Sequence, residues 1–105
     1  MVKRHNRAIL IAKKYIDHLR KNNIKVEKAY LYGSYANGRA HKDSDIDIVV
    51  VSSEFKGSRY DESVRLAKLR RPINLHISPL AYNPKDFTKQ NLIPYEAMTN
   101  GIRIA

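Results

Sequence analysis

The chain has 105 residues, 43% of them hydrophobic, which predicts one small domain with its own core and no second domain. Its 20 Lys and Arg against 10 Asp and Glu give a formal net charge of +10, which favours polyanionic partners such as nucleotides, nucleic acid or an acidic protein, although a solvated charged surface accounts for the same figure. With no cysteine, disulfides and thiolate metal sites are excluded, and no apolar run is long enough for a membrane span or a signal peptide, so a cytoplasmic location without membrane contact is expected.

After a basic lead-in over residues 1–7, a helix is predicted from Asn6 as its N-cap. Ile9, Ala12, Ile16 and Leu19 recur at three- and four-residue steps, and Asn22-Asn23 ends the pattern. His5 and His18 have no second ligand spaced with them and read as surface residues. Residues 26–32 read as a strand, with Ala29 and Leu31 on one face and Tyr30 and Tyr32 on the other. Gly33-Ser34 breaks it, Ser34 capping a short helical turn through Ala36 that Gly38 stops. A polar connector, 39–43, leads to a strand over 45–52 that opens with Asp45 and Asp47 and continues in Ile and Val, as a strand buried on both faces does. A turn around Gly57 precedes a helix over 60–69, with Val64 and Ala67 or Lys68 at helical spacing. Arg70-Arg71 suit its C-terminal dipole and Pro72 ends it. The alternation Ile73-Asn74-Leu75-His76-Ile77-Ser78 predicts a half-buried strand whose polar face is Asn74, His76 and Ser78. Asn83 caps a short turn begun by Pro84. Residues 91–100 read as a last helix with Leu92, Tyr95, Ala97 and Met98 apolar, stopped by Gly101, and 102–104 as a final strand or an apolar edge for a partner. The order of elements is that of an α/β (α+β) fold: a small mixed sheet flanked by helices, with the site at one sheet edge.

Two stretches carry chemistry. On a strand, residues two apart share a face, so Asp45 and Asp47 point one way and Ile46 and Ile48 the other. Like carboxylates held that close are unfavourable unless a cation sits between them. A hard divalent ion such as Mg²⁺, held by one or two carboxylates plus substrate phosphates, fits that need. Gly33, without a side chain, lets a phosphate approach the backbone, and a helical turn starting at Ser34 turns N–H groups toward an anion. One side of such a site holds a triphosphate and the other its metal, and nucleotidyl transfer needs little more than an acceptor in line. An ordinary turn and a solvated strand end are the bland alternatives.

Gly33-Ser34-x-Ala36-x-Gly38, five residues, then Ser44-Asp45-Ile46-Asp47-Ile48 resembles the signature of the DNA polymerase β-like nucleotidyltransferase superfamily. In so short a chain it is similar to the minimal nucleotidyltransferase (MNT) domains of prokaryotes. The resemblance implies Mg²⁺ on Asp45 and Asp47, the phosphates of a nucleoside triphosphate (ATP first) on Gly33 and Ser34, and Ser44 supporting the turn. It implies transfer of an NMP to an acceptor hydroxyl on a protein or RNA. It also implies a partner, because MNT domains are often antitoxins of HEPN-type ribonuclease toxins, silenced by AMP on a tyrosine.

The chain departs from that pattern in two places. Asn37 stands where a basic residue is common, although Arg39, His41 and Lys42 are near enough in sequence to reach a triphosphate. Active members usually carry a third carboxylate on the strand predicted at 73–78, and this one carries none, leaving Asn74 and Ser78 as neutral oxygens and His76 as a candidate base. Either Glu54, Asp61 or Glu62 reaches the site, or the chain binds nucleotide without efficient turnover. Beside a transferase, the sequence therefore admits a protein that acts by docking and a small nucleic-acid-binding module. Seven tyrosines without a stacking motif weigh against the last.

Overall fold

The computed structural model describes residues 2–105, with side chains described from Asn6 onward, so His5 lies outside the described side chains. The first helix, α1 (Val2–Lys21), begins inside the basic lead-in, so Asn6 is a helix residue and not a cap. No Gly or Pro interrupts that lead-in, and Lys and Arg are good helix formers. The end falls at the predicted place. Asn23 adopts φ 67°, its N–H donates to the Arg20 carbonyl (3.1 Å) and the Ile24 N–H donates to the Leu19 carbonyl (3.1 Å). That paired closure needs a left-handed residue, a conformation that Asn tolerates.

Four strands form one mixed sheet in the order β3-β2-β1-β4. These are β1 (Lys28–Tyr32), β2 (Ile46–Val51), β3 (Ile77–Tyr82) and β4 (Ile102–Arg103). β1 runs antiparallel to both β2 and β4, while β2 and β3 are parallel, joined by the crossover helix α2 (Arg59–Lys68).

The third strand is therefore not where the alternation placed it. Residues 73–76 bend after α2: Ile73 and Asn74 both donate to the Arg70 carbonyl, and Asn74 Oδ1 accepts from the His76 N–H (2.7 Å). The strand starts at Ile77 and contains Pro79, a residue that argues against a strand unless its N–H would face away from the sheet. β3 lies at the edge, and that is the case here. The N–H of Ala81, on the same outer side, is met by Ser63 Oγ of α2 (3.0 Å), and Pro79 has none to satisfy.

Alternation divides the core in two. Ala29, Leu31, Ile46, Ile48, Val50, Ile77 and Ala81 face α1 and α2, while Val49, Val51 and Tyr82 face Phe87 and α3 (Leu92–Asn100). The two helices of the first layer are tied by a buried hydrogen bond from the Tyr15 hydroxyl to the Leu66 carbonyl (2.6 Å). In α2 it is Leu66 that turns inward; Val64 and Ala67, the predicted apolar face, are only half-buried. In α3, Pro94 and Ala97 are buried and Leu92 and Tyr95 remain exposed. α3 stops at Gly101, whose φ of −82° needs no glycine. Its missing side chain is what matters, because a Cβ there would run into the Ala97 and Leu31 carbonyl oxygens. No helix among the described residues is long and apolar enough to cross a membrane.

Candidate active site

β1 ends and β2 begins at the same end of the sheet, where the register sets Tyr32 opposite Asp47. On the other side of β2, Asp47 lies beside Ser78 of β3. Residues in register share a face, so Tyr32, Asp47 and Ser78 form one row across three strands, about 5 Å from one to the next. Asp45 stands just before β2 and is exposed. The two aspartates thus mark the edge of the sheet at which β1 stops and β2 starts.

Gly33 occupies the position that fits this row together. It takes φ 74°, and a Cβ there would collide with the Asp47 carboxylate. The carboxylate packs against bare backbone, which only glycine allows. Gly33–Tyr35 is a 3₁₀ turn whose N-cap is Tyr32, with no side-chain cap hydrogen bond, so Ser34 is inside the turn and not its cap. Extended Tyr32 delivers the chain directly into the positive-φ glycine, and the cap lies two residues earlier than the Ser pattern suggested. Buried Tyr35 anchors the turn in the core, and its hydroxyl donates to the His41 carbonyl (3.3 Å). The Gly33 carbonyl accepts from Ala36 and Asn37 (3.1 Å each), and the Ser34 carbonyl accepts from Arg39 (3.0 Å). The Ser34 N–H lies in the first turn, where a helix leaves its donors without internal acceptors. Ser44 closes the connector: its Oγ accepts from the His41 N–H (2.9 Å) and its own N–H donates to the His41 carbonyl (3.0 Å), immediately before Asp45.

Burial, and then the charge of Asp45, push the Asp47 carboxyl up to about 6. Burial, then Asp47, then Tyr82 also push the Tyr32 phenol above its ordinary range. Among the described residues no cation pairs with Asp47, for Arg65–Glu62 is the one ion pair and lies elsewhere. A half-buried carboxylate with a like-charged neighbour, and no ion-pair partner among the described residues, is a donor set that a cation could bridge. Among the described residues no group of three or more His, Cys, Asp and Glu comes together, so the set is two carboxylates.

None of the expected substitutes for a third carboxylate arrives. Glu54 accepts from the Lys25 N–H (3.1 Å), beyond the far end of β2 and about 20 Å from its start. Asp61 and Glu62 open α2 at that same far end, Glu62 held by Arg65 (3.1 Å) and the Gly57 N–H (3.3 Å). Asn74 is spent within its turn. His76 is exposed, and its carbonyl accepts from the Ile46 N–H (2.8 Å), which puts it at the site's mouth but outside the strand. Arg39, His41 and Lys42 lie exposed in the connector. Tyr32 is the member that sequence reasoning missed, while Ser78, expected as a neutral oxygen on the polar face of the third strand, lies in register with Asp47. Strand parity marks Tyr32 as facing away from Leu31, but only the pairing shows that this is also the side of Asp47.

Comparison with known proteins agrees with this fold. Residues 12–98 match the family described as "Nucleotidyltransferase domain". The protein adenylyltransferase MntA of Shewanella oneidensis is 46% identical over 41 residues, 39% of this chain and 30% of that protein, so the match spans under a third of the relative's length. A structure described as a nucleotidyltransferase from Sulfolobus solfataricus superposes with a TM-score of 0.71 at 17% identity, over 97% of this chain and 83% of that one. A toxin-antitoxin structure with AMP-PNP superposes with a TM-score of 0.62 at 26% identity, over 89% of this chain and 72% of that one. A mutant of the toxin-antitoxin MntA-HpeT gives 0.60 at 26% identity, over 88% and 70%.

Proposed function

The chain belongs to the nucleotidyltransferase domain family, and on that premise we propose that it transfers an NMP, AMP first, from a nucleoside triphosphate to a hydroxyl of a protein partner, as an antitoxin acting on its toxin. The observation that carries the reading is the Asp47 carboxylate laid against the bare backbone of Gly33, beside exposed Asp45, with no ion-pair partner for either among the described residues. Asp45 and Asp47 would hold Mg²⁺, and the ion would supply charge neutralisation to the phosphates. The Gly33-Ser34 turn presents backbone to the β- and γ-phosphates, and Ser44 holds the connector that aims Asp45. The acceptor oxygen bonds the α-phosphorus, the α–β anhydride bond breaks, and pyrophosphate leaves with the electron pair. The hydroxyl proton passes to solvent, because Ser78 stands in the row where a carboxylate base would serve. Support for adenylyl as the group, and for a toxin as partner, comes from the name of the adenylyltransferase relative and from the toxin-antitoxin structures similar to this fold.

A second reading rests on that same Ser78. With a neutral oxygen completing the row, the site binds nucleotide and turns over poorly, and the chain acts by docking. One experiment separates the two. Purified protein with Mg²⁺, α-labelled ATP and its candidate toxin is expected to label the toxin, and Asp45→Asn/Asp47→Asn is expected to abolish the label. Absence of label with Mg²⁺-dependent AMP-PNP binding retained selects the docking reading. Absence of AMP-PNP binding at millimolar concentration refutes both.

A further inference from the structure

On the sheet face opposite the Tyr32–Asp47–Ser78 row, the last turns of α2 and the bend after it enclose an open groove of about 400 Å³, lined by Val64, Ala67, Lys68, Arg70, Arg71 and Leu75. Its floor is aliphatic. Val64 and Ala67 are half-buried, and Leu75 is 62% exposed, a large apolar side chain left facing water. Its rim is basic. Arg70 is partly spent, donating to the Ile77 carbonyl (3.0 Å), but Lys68 and Arg71 are exposed and belong to no ion pair among the described residues.

A basic helix end by itself is ordinary, since cations there offset the helix dipole. Here two of the last carbonyls already have partners, Leu66 from the Leu69 N–H (3.1 Å) and Ala67 from the Arg70 N–H (3.2 Å). A dipole argument also says nothing of a bare leucine beside the cations.

We propose that this groove docks an acidic segment of a protein partner, its carboxylates on Lys68 and Arg71 and an aliphatic side chain seated on Val64, Ala67 and Leu75. Charge complementarity selects the occupant. A second copy of this chain brings a net charge of +10 against +10. An RNA strand finds phosphate contacts but no aromatic lining residue, and so forgoes the base stacking of about 1–3 kcal/mol per base that single strands rely on. A partner held here leaves the opposite face open to nucleotide, so the inference stands independently of whether that face turns over.

The test uses the whole protein without nucleotide in 150 mM salt, where exposed charges are screened beyond about 8 Å. The probe is a fluorescein-labelled twelve-residue helical peptide of Glu, Leu and Ala, with a twelve-nucleotide oligouridylate in parallel, both read by anisotropy. Lys68→Glu/Arg71→Glu is expected to weaken peptide binding at least tenfold, and Leu75→Ser at least threefold. Lys13→Glu/Lys14→Glu on the exposed side of α1 removes the same charge and is expected to change it less than twofold. All these positions are exposed, and circular dichroism checks each variant. Should the groove double variant not fold, Arg71→Glu alone and Leu75→Ser carry the test. Equal losses in the two double variants, an unchanged Leu75→Ser, a groove-dependent preference for the oligouridylate, or no peptide binding at millimolar concentration would each overturn the proposal.

Discussion

Replacing Asp47 by Asn should make the metal-free protein more stable, the opposite of what loss of a site residue usually suggests. The Asp47 carboxyl is pushed from 3.8 up to about 6, first by burial and then by Asp45. A folded-state value above the unfolded one means that the folded protein binds this proton more tightly. The stabilising contribution is therefore complete below about pH 4 and lost as the pH climbs through about 6. The rise from 3.8 to about 6 corresponds to about 3 kcal/mol before screening. Because the group keeps part of its surface in water, screening reduces that to about 1.5 kcal/mol. Asn keeps the shape without the charge, so in EDTA at pH 7.5 the variant should gain about 1–1.5 kcal/mol, roughly 5–10 °C in Tm for a domain this size. At pH 4 the difference should fall below about 0.5 kcal/mol. The chain has no tryptophan, so urea unfolding is followed by far-UV circular dichroism. With Mg²⁺ and AMP-PNP at a hundredfold excess over Kd, the wild type should gain about 2.7 kcal/mol and the order should reverse. If Asp47→Asn proved less stable than the wild type in EDTA at pH 7.5, that result would refute the account of an unbalanced carboxylate.

Gly33→Ala forces a side chain to φ 74° and into the Asp47 carboxylate, so it should lower stability by at least about 1–2 kcal/mol and weaken AMP-PNP binding more than tenfold in calorimetry. Ser78→Asp adds a carboxylate in register with Asp47, so metal-free stability at pH 7.5 should drop by about 1 kcal/mol while Mg²⁺ binds more tightly beside AMP-PNP. Unchanged Mg²⁺ affinity would mean that the row does not converge on one ion. Tyr15→Phe removes the buried hydroxyl that donates to the Leu66 carbonyl and should cost about 1–2 kcal/mol in urea unfolding, and a cost under about 0.3 kcal/mol would show that α1 and α2 are held by packing alone.

Local rules carried the sequence a long way. The 3.6-residue rhythm of α1, the Ile-Val run of β2, the Asn83 cap and the stop at Asn22-Asn23 are choices that neighbouring residues make among themselves, and each appears in the structure. Reading failed where a distant partner decides. The alternation at 73–78 satisfies a strand template, but Pro72, the Arg70 carbonyl and the Asn74 side chain hold a bend there, and only the outer edge beside α2 makes a proline-bearing strand acceptable one turn later. Likewise α2 has several apolar positions, and which of them is buried depends on where Tyr15 and the sheet lie.

The same division runs through the site. Gly33-Ser34 and Asp45-x-Asp47 are legible in the sequence because a positive-φ turn and a two-residue carboxylate repeat each demand particular residue types at adjacent positions. What lies across from them is not encoded locally. Antiparallel pairing with β1 brings Tyr32 and Gly33 to Asp47, parallel pairing with β3 brings Ser78, and the crossover carries Glu54, Asp61 and Glu62 to the other end of the sheet. Register belongs to pairs of strands, since a shift of one residue would turn every side chain to the opposite face. The amino-acid sequence by itself determined the two halves of the candidate site, and the tertiary structure decided which residues lie across from them.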